Sequence, residues 1–180
     1  FQRAFKRAGL PLTHTQGYNP RPSVSIALPL SVGVESVCEI LDFELTEEHD
    51  GSGLAERFNA FMPEGICATA CFVPKKPVRD LKTLHCEVRF EYDNGVPAGA
   101  KEKIEQLFAM DSVVISKRTK RKEMADVDIR PMIEKLSIAE EKCALYMDVC
   151  VMAQNPGLNP ALLEAAVARY LPELKPDFVS

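Results

Sequence analysis

Apolar positions recur along this chain in two periods, about 3.6 residues and 2 residues, and their succession predicts a mixed helix-and-strand protein. Phe1, Ala4, Phe5 and Ala8 mark one face of an opening helix, Gln2, Arg3, Lys6 and Arg7 the other, and Gly9 supplies its stop. Ser23 to Leu28 reads as a short strand, and Gly33 punctuates the turn to a second, about Val37 to Leu45. There Leu41, Phe43 and Leu45 alternate with Asp42 and Glu44. Leu54, Phe58 and Phe61 predict a short amphipathic helix closed by Pro63 and Gly65, followed by a strand from Ile66 to Val73. After Pro74-Lys75-Lys76-Pro77, whose prolines deny both helix and central strand, the pattern nearly restarts. Leu84, Cys86, Val88, Phe90 and Tyr92 alternate with His85, Glu87, Arg89 and Glu91. Asp93-Asn94-Gly95 turns the chain, and Pro97 opens a helix with Ile104, Leu107 and Phe108 on one side. Strands are expected at about Val113 to Lys117, Ala125 to Ile129 and Cys143 to Met152. A last helix, introduced by Asn159-Pro160, has Leu162, Leu163, Ala166, Val167 and Tyr170 as its apolar face.

The two halves therefore read as tandem split β-α-β (ferredoxin-like) units of an α+β fold, residues 1–78 and 79–180. The opening helix has no capping residue, and Phe178-Val179-Ser180 reads as the start of a strand. The first half is thus expected to lack its first strand and the second half most of its last, as in a piece of a longer protein.

Composition changes this picture little. A chain of 180 residues buries about 70% of its unfolded surface, enough for a core without disulfides or metal. No apolar run approaches the roughly 18 residues of a membrane helix, and no secretory signal is present, so a cytoplasmic protein with no membrane partner is expected. The six cysteines fall mostly in strand-like segments and read as reduced, buried thiols. A net charge of −4 argues against wholesale coating of nucleic acid while leaving room for a local basic patch.

Few residues carry a chemical signature. Cys67 and Cys71 begin a C-x-x-x-C-x-x-C spacing whose third position is Pro74, which cannot ligate, and both lie on an expected strand. Two core-facing cysteines are the simpler reading. His85 stands on the polar side of a strand and His49 in an acidic turn. No nucleophile elbow, phosphate-cradling glycine loop or metal-ligand spacing is found, so no catalytic or metal residue is nominated. Two segments stand out. In His14-Thr15-Gln16-Gly17-Tyr18-Asn19-Pro20-Arg21-Pro22, a glycine suited to positive φ, two prolines and the donors Gln16, Asn19 and Arg21 suit a rigid loop that holds phosphate or carboxylate. Plain turn chemistry uses the same residues. Lys117-Arg118-Thr119-Lys120-Arg121-Lys122 is basic at five of six positions and links two strands, as a polyanion-gripping tip or a solubilising loop would.

Gln16 to Pro22, then Ser25-Ile26-Ala27-Leu28-Pro29-Leu30 and Val32-Gly33-Val34-Glu35-Ser36, resemble the uncharacterised radical SAM-linked family. Those are domains of unknown function beside, or fused behind, cobalamin-binding radical SAM proteins, and Asp128-Ile129-Arg130-Pro131 resembles a second block of that family. The family's usual opening strand and Ser-His-Leu-Asp stretch are absent, and Gly157-Leu158-Asn159-Pro160 matches only loosely. The resemblance implies a radical SAM partner, in cis or in trans. That partner brings its own iron–sulfur cluster and S-adenosylmethionine, with cobalamin a further candidate, so this chain needs no cofactor.

The expectation is a non-catalytic accessory domain that presents a substrate, RNA being the favoured anion. Gln16, Gly17, Asn19, Arg21, Asp128 and Arg130 are its candidate substrate contacts, and Lys117, Arg118, Lys120, Arg121 and Lys122 its candidate polyanion contacts. A metal-free RNA-processing enzyme using His14 and Arg21, or a purely structural partner of the radical protein, remain the alternatives.

Overall fold

A computed structural model describes residues 1–30, 33–118 and 123–180. The protein is α+β, with helices and antiparallel sheets in two compact units, Phe1–Asp80 and Leu81–Ser180.

In the first unit α1 (Gln2–Arg7) leads to β1 (Val24–Ala27), β2 (Ile40–Phe43) and α2 (Leu54–Asn59). β1 and β2 form a two-stranded antiparallel sheet with Val24 opposite Phe43 and Ile26 opposite Leu41. The apolar face foreseen for the opening helix is the one that packs: Ala4, Phe5 and Ala8 are buried with Leu10, Leu12, Leu54 and Phe58. The Phe5 ring lies 4.7 Å from Phe43 and 4.5 Å from Phe58, in tilted arrangements that favour aromatic pairs. Arg57 ties the two helices together, its Nε donating to the Ala8 carbonyl at 2.8 Å and its Nη2 to that of Gly9 at 3.0 Å. These carbonyls at the α1 terminus would otherwise lack partners.

The strand expected at Ile66–Val73 does not form. The segment joins no ladder, and Ile66, Phe72 and Val73 are exposed. It is held instead by side chains and close approach. Asn59 Oδ1 accepts the Ala68 N–H at 2.7 Å, and its Nδ2 donates to the Ala68 carbonyl at 2.9 Å. Cys67 and Cys71 therefore do not sit on a strand, and Cys67 is exposed rather than core-facing. High β-propensity reports a side chain's fit to a sheet and cannot supply the neighbouring strand.

The second unit runs β3 (Thr83–Glu91), α3 (Ala100–Ala109), β4 (Val114–Arg118), β5 (Met124–Asp128), β6 (Ile133–Glu141), β7 (Ala144–Met152), α4 (Ala161–Tyr170) and β8 (Phe178–Val179). Its main sheet has the order β6-β7-β3-β8, antiparallel throughout, and β4 pairs with β5 as a separate hairpin. Val88 and Phe90 from β3, Tyr92 just after it, and Leu145, Met147, Val149 and Val151 from β7 gather in one core. They bury against Ile104, Leu107 and Phe108 of α3 and Leu163, Ala166 and Val167 of α4. Each Val, Leu, Ile, Phe or Met among them contributes about 1.5–3 kcal/mol relative to exposure, which makes this face the main stabilising element of the unit. The alternate face of the same strands carries His85, Glu87, Arg89, Tyr146 and Asp148 toward solvent.

Sequence periodicity missed β6. Ile133 stands opposite Val151 and Lys135 opposite Cys150, so Glu134 is an extra, bulged residue that breaks the alternation at the start of the strand. Asn159 acts at the last helix as expected, Oδ1 accepting the Ala161 N–H at 3.0 Å, although Pro160 occupies the capping position itself.

Candidate functional site

The loop after α1 is narrow at its base and open at its tip. His14 and Pro22 form an isolated antiparallel bridge, the Thr15 N–H donates to the Arg21 carbonyl at 2.8 Å, and the Arg21 N–H donates to Thr15 Oγ1 at 3.0 Å. A second brace joins it to the sheet, where the Thr13 N–H reaches the Glu44 carbonyl and the Ser23 N–H reaches that of Thr13, both at 2.8 Å. Above this stem Gly17 adopts φ +139, a conformation that side-chain-bearing residues rarely take, and opens the turn. Gln16, Tyr18, Asn19 and Arg21 are all exposed, Tyr18 completely so. Among the described residues none of their side chains is engaged in a hydrogen bond or ion pair, whereas the main chain below them is tied. The loop thus brings Gln16, Gly17, Asn19 and Arg21 together on one stiff support.

Tyr18 was not among the residues nominated from sequence. Its signal was present: an aromatic residue inside a Gly/Asn/Pro loop, outside any apolar period, has no core to enter. Its exposed ring, on the same loop as the Arg21 guanidinium, adds a stacking surface to a cationic fork.

Asp128 and Arg130 lie in the second unit and are occupied with holding it. Asp128 Oδ1 accepts the Val113 N–H at 2.8 Å and the Arg130 N–H at 3.0 Å, while Arg130 Nη1 donates to the Ile133 carbonyl at 3.0 Å. The Val113 N–H is the largest influence on the Asp128 carboxyl. Partial burial opposes it, and the Arg130 N–H, the Ser112 side chain and the Arg130 charge add to it. The result is an acid held below the usual carboxylate range. Tyr170 completes the brace: its hydroxyl accepts the Val114 N–H at 3.0 Å and donates to the Val114 carbonyl at 3.1 Å, tying α4 to the β4–β5 hairpin.

Of the basic run, Lys117 lies in β4 opposite Ala125, and Arg118 ends that strand opposite Met124. Lys120, Arg121 and Lys122 lie outside the described residues. The tip expected between the two strands thus falls on residues 119–122, outside the described ones.

On the solvent face of the main sheet His85 Nε2 sits 2.9 Å from Asp148 Oδ1, and Arg89 pairs with Glu91 at 3.4 Å. Arg89 also lies over the Tyr146 ring at 5.4 Å. All six cysteines are thiols with no disulfide between them, and burial pushes that of Cys71 above its ordinary value. Among the described residues no three histidine, cysteine or acidic side chains gather as a metal site, and no helix is long and apolar enough to cross a membrane.

No curated protein and no solved structure matches the chain. A family model does, across residues 1–160: the chain belongs to DUF2344, described as an uncharacterized protein conserved in bacteria.

Proposed function

We propose that this chain is an accessory module without chemistry of its own, which holds an anionic substrate, RNA in particular, for a radical SAM protein. The observation that carries the reading is the Gln16–Arg21 loop. Its backbone is tied at the stem, while the side chains of Gln16, Tyr18, Asn19 and Arg21 are spent on no partner among the described residues. A turn that served only to connect α1 to β1 would not need a braced arginine and an aromatic ring displayed together. Pre-set in this way, a guanidinium loses little freedom when it forks onto a phosphate, and a ring on the same loop accepts a base of any identity. The basic run 117–122 supplies a second source of positive charge.

The fold supports a binding role by analogy alone. The order β6-β7-β3-β8, with α3 and α4 as crossovers, supports reading the second unit as a split β-α-β fold into which the β4–β5 hairpin is inserted. The order α1-β1-β2-α2 fits the middle of the same pattern in the first unit. The iron–sulfur cluster, S-adenosylmethionine and cobalamin belong, on this reading, to the radical protein, and the cytoplasm is where the two meet.

The test is copurification under anaerobic conditions of the full-length protein from its native cell, with the retained nucleic acid sequenced and the iron content of the complex measured. Recovery of an iron–sulfur protein together with RNA supports both halves of the reading. RNA absent from every preparation, with the iron–sulfur protein present, reduces the chain to a structural partner.

A further inference from the structure

The solvent face of the four-stranded sheet combines features that a merely wetted surface does not need. Register places Glu87 of β3 directly opposite Asp148 of β7. Like charges directly opposite on neighbouring strands repel, and His85 approaches only the Asp148 member of the pair. Glu91 stands opposite Phe178 of β8, a residue 61% exposed, and Glu141 of β6 lies in the same row beyond Ala144. Against these carboxylates the face sets two fixed cations, Arg89 and Lys135, and Arg89 is already paired with Glu91. α3 and α4 both pack on the reverse of this face.

We propose that this face docks a protein segment that carries arginine. The proposal deepens the reading above, on whose docking half it rests. Arg89 displays the binding mode within the molecule: its guanidinium lies over the Tyr146 ring at 5.4 Å and reaches the Glu91 carboxylate at 3.4 Å. An incoming arginine meets a ring and a carboxylate together again where Phe178 stands opposite Glu91, and two carboxylates together at the opposed pair Glu87 and Asp148. Arginine is specified over lysine because a planar guanidinium stacks on a ring and forks onto carboxylates at once, whereas an ammonium is a compact, strongly hydrated point charge. The excess of carboxylates repels phosphate. RNA is thereby directed to the loops, and the sheet is left for protein.

The experiment titrates the isotope-labelled full-length protein with oligoarginine and oligolysine of equal length at low salt, following amide shifts. Oligoarginine is expected to move residues of β3, β7 and β8, and to bind about tenfold more tightly than oligolysine. The double variant Glu87→Gln, Asp148→Asn should lose about tenfold in affinity for oligoarginine with no fall in melting temperature. Equal affinity for the two peptides, shifts concentrated in the acidic turn Glu44–Asp50, or an unchanged double variant would each overturn the proposal. Failure to recover a radical protein, with oligoarginine still mapping to the sheet, would instead overturn the partner named above and leave this surface standing.

Discussion

Asp128 and Val113, fifteen residues apart, meet at the base of the β4–β5 hairpin, where the Asp128 carboxylate accepts the Val113 N–H at 2.8 Å. The same Oδ1 accepts the Arg130 N–H at 3.0 Å, so one oxygen fixes both the entry to β4 and the exit from β5. In the Asp128-Ile129-Arg130-Pro131 stretch, which resembles a family block in sequence, both charged side chains bond to the main chain around the hairpin base.

That contact has a pH signature. Bonding to the charged form depresses the folded-state value of Asp128, so its contribution is present above the ordinary aspartate value of about 3.9 and is lost as pH falls through the lower folded value. Asp128→Asn keeps one acceptor but removes the charge. The variant should melt lower than wild type at neutral pH, and the gap should close on acidification. A gap that stays constant from neutral pH to below the carboxylate range would show that charge is not what Asp128 supplies.

At the alkaline end the marker is Tyr92. Its hydroxyl donates to the Leu174 carbonyl at 2.9 Å, and burial, assisted by the charge of Asp177, pushes its ionisation up to about 12. The folded value exceeds the unfolded one, so stability from this group is complete below pH about 10 and disappears as pH rises toward 12. Tyr92→Phe removes both the bond and the titration. It should cost about 0.5–1.5 kcal/mol at neutral pH, measured by denaturant unfolding, and should erase the tyrosinate absorbance step near pH 12.

In the first unit Gly51, in the loop between β2 and α2, lies against the 66–73 segment. Its φ is +91, and a Cβ there would stand 2.8 Å from the Cys71 carbonyl oxygen and 3.2 Å from Phe72 Cα, both backbone atoms that cannot swing aside. Gly51→Ala should therefore destabilise by about 1–3 kcal/mol through backbone strain and displacement of the segment. Faster proteolysis within Ile66–Val73 is the accompanying readout. A variant as stable and as resistant as wild type would mean that the segment does not depend on this contact.

What could be read in advance follows from where the information lies. β3 was legible because one of its faces is buried and the other wet, so Val88, Phe90 and Tyr92 alternate with Arg89 and Glu91. α1 and α4 were legible for the same reason at the helical period. β6 was hidden because the bulge at Ile133 and Lys135 breaks that alternation, and Ile66–Val73 misled because an apolar, β-prone run does not reveal whether a neighbour will pair with it. Within the candidate site, Gly17 and Arg21 could be nominated from local composition alone. The stem that braces them depends on Thr13 meeting Glu44, and the setting of Asp128 depends on Val113. Both pairings join residues distant in the chain, which no local window contains.

The substrate reading can be tested through the different ways in which Arg21 and the basic run should act. Arg21 is flanked by Pro20 and Pro22, and both its N–H and its carbonyl are bonded to Thr15, so its side chain leaves from a fixed point. Replacing it with lysine preserves the charge and removes the fork. RNA affinity should fall by about 1–3 kcal/mol with the salt dependence nearly unchanged, because the number of phosphates neutralised stays the same. Replacing Lys120, Arg121 and Lys122 with glutamine should do the converse. The slope of log affinity against log salt should flatten by roughly 0.7 for each phosphate of single-stranded RNA that the run no longer neutralises, with little change in sequence preference. Tyr18→Ala should weaken binding by about 1–3 kcal/mol at every salt concentration if its ring stacks on a base, and Tyr18→Phe should restore it. A salt titration of wild type and these variants, on full-length protein, separates the three contributions. One common slope and one common affinity for all of them would remove RNA from the proposal and leave the arginine-docking face of the sheet as the binding surface to pursue.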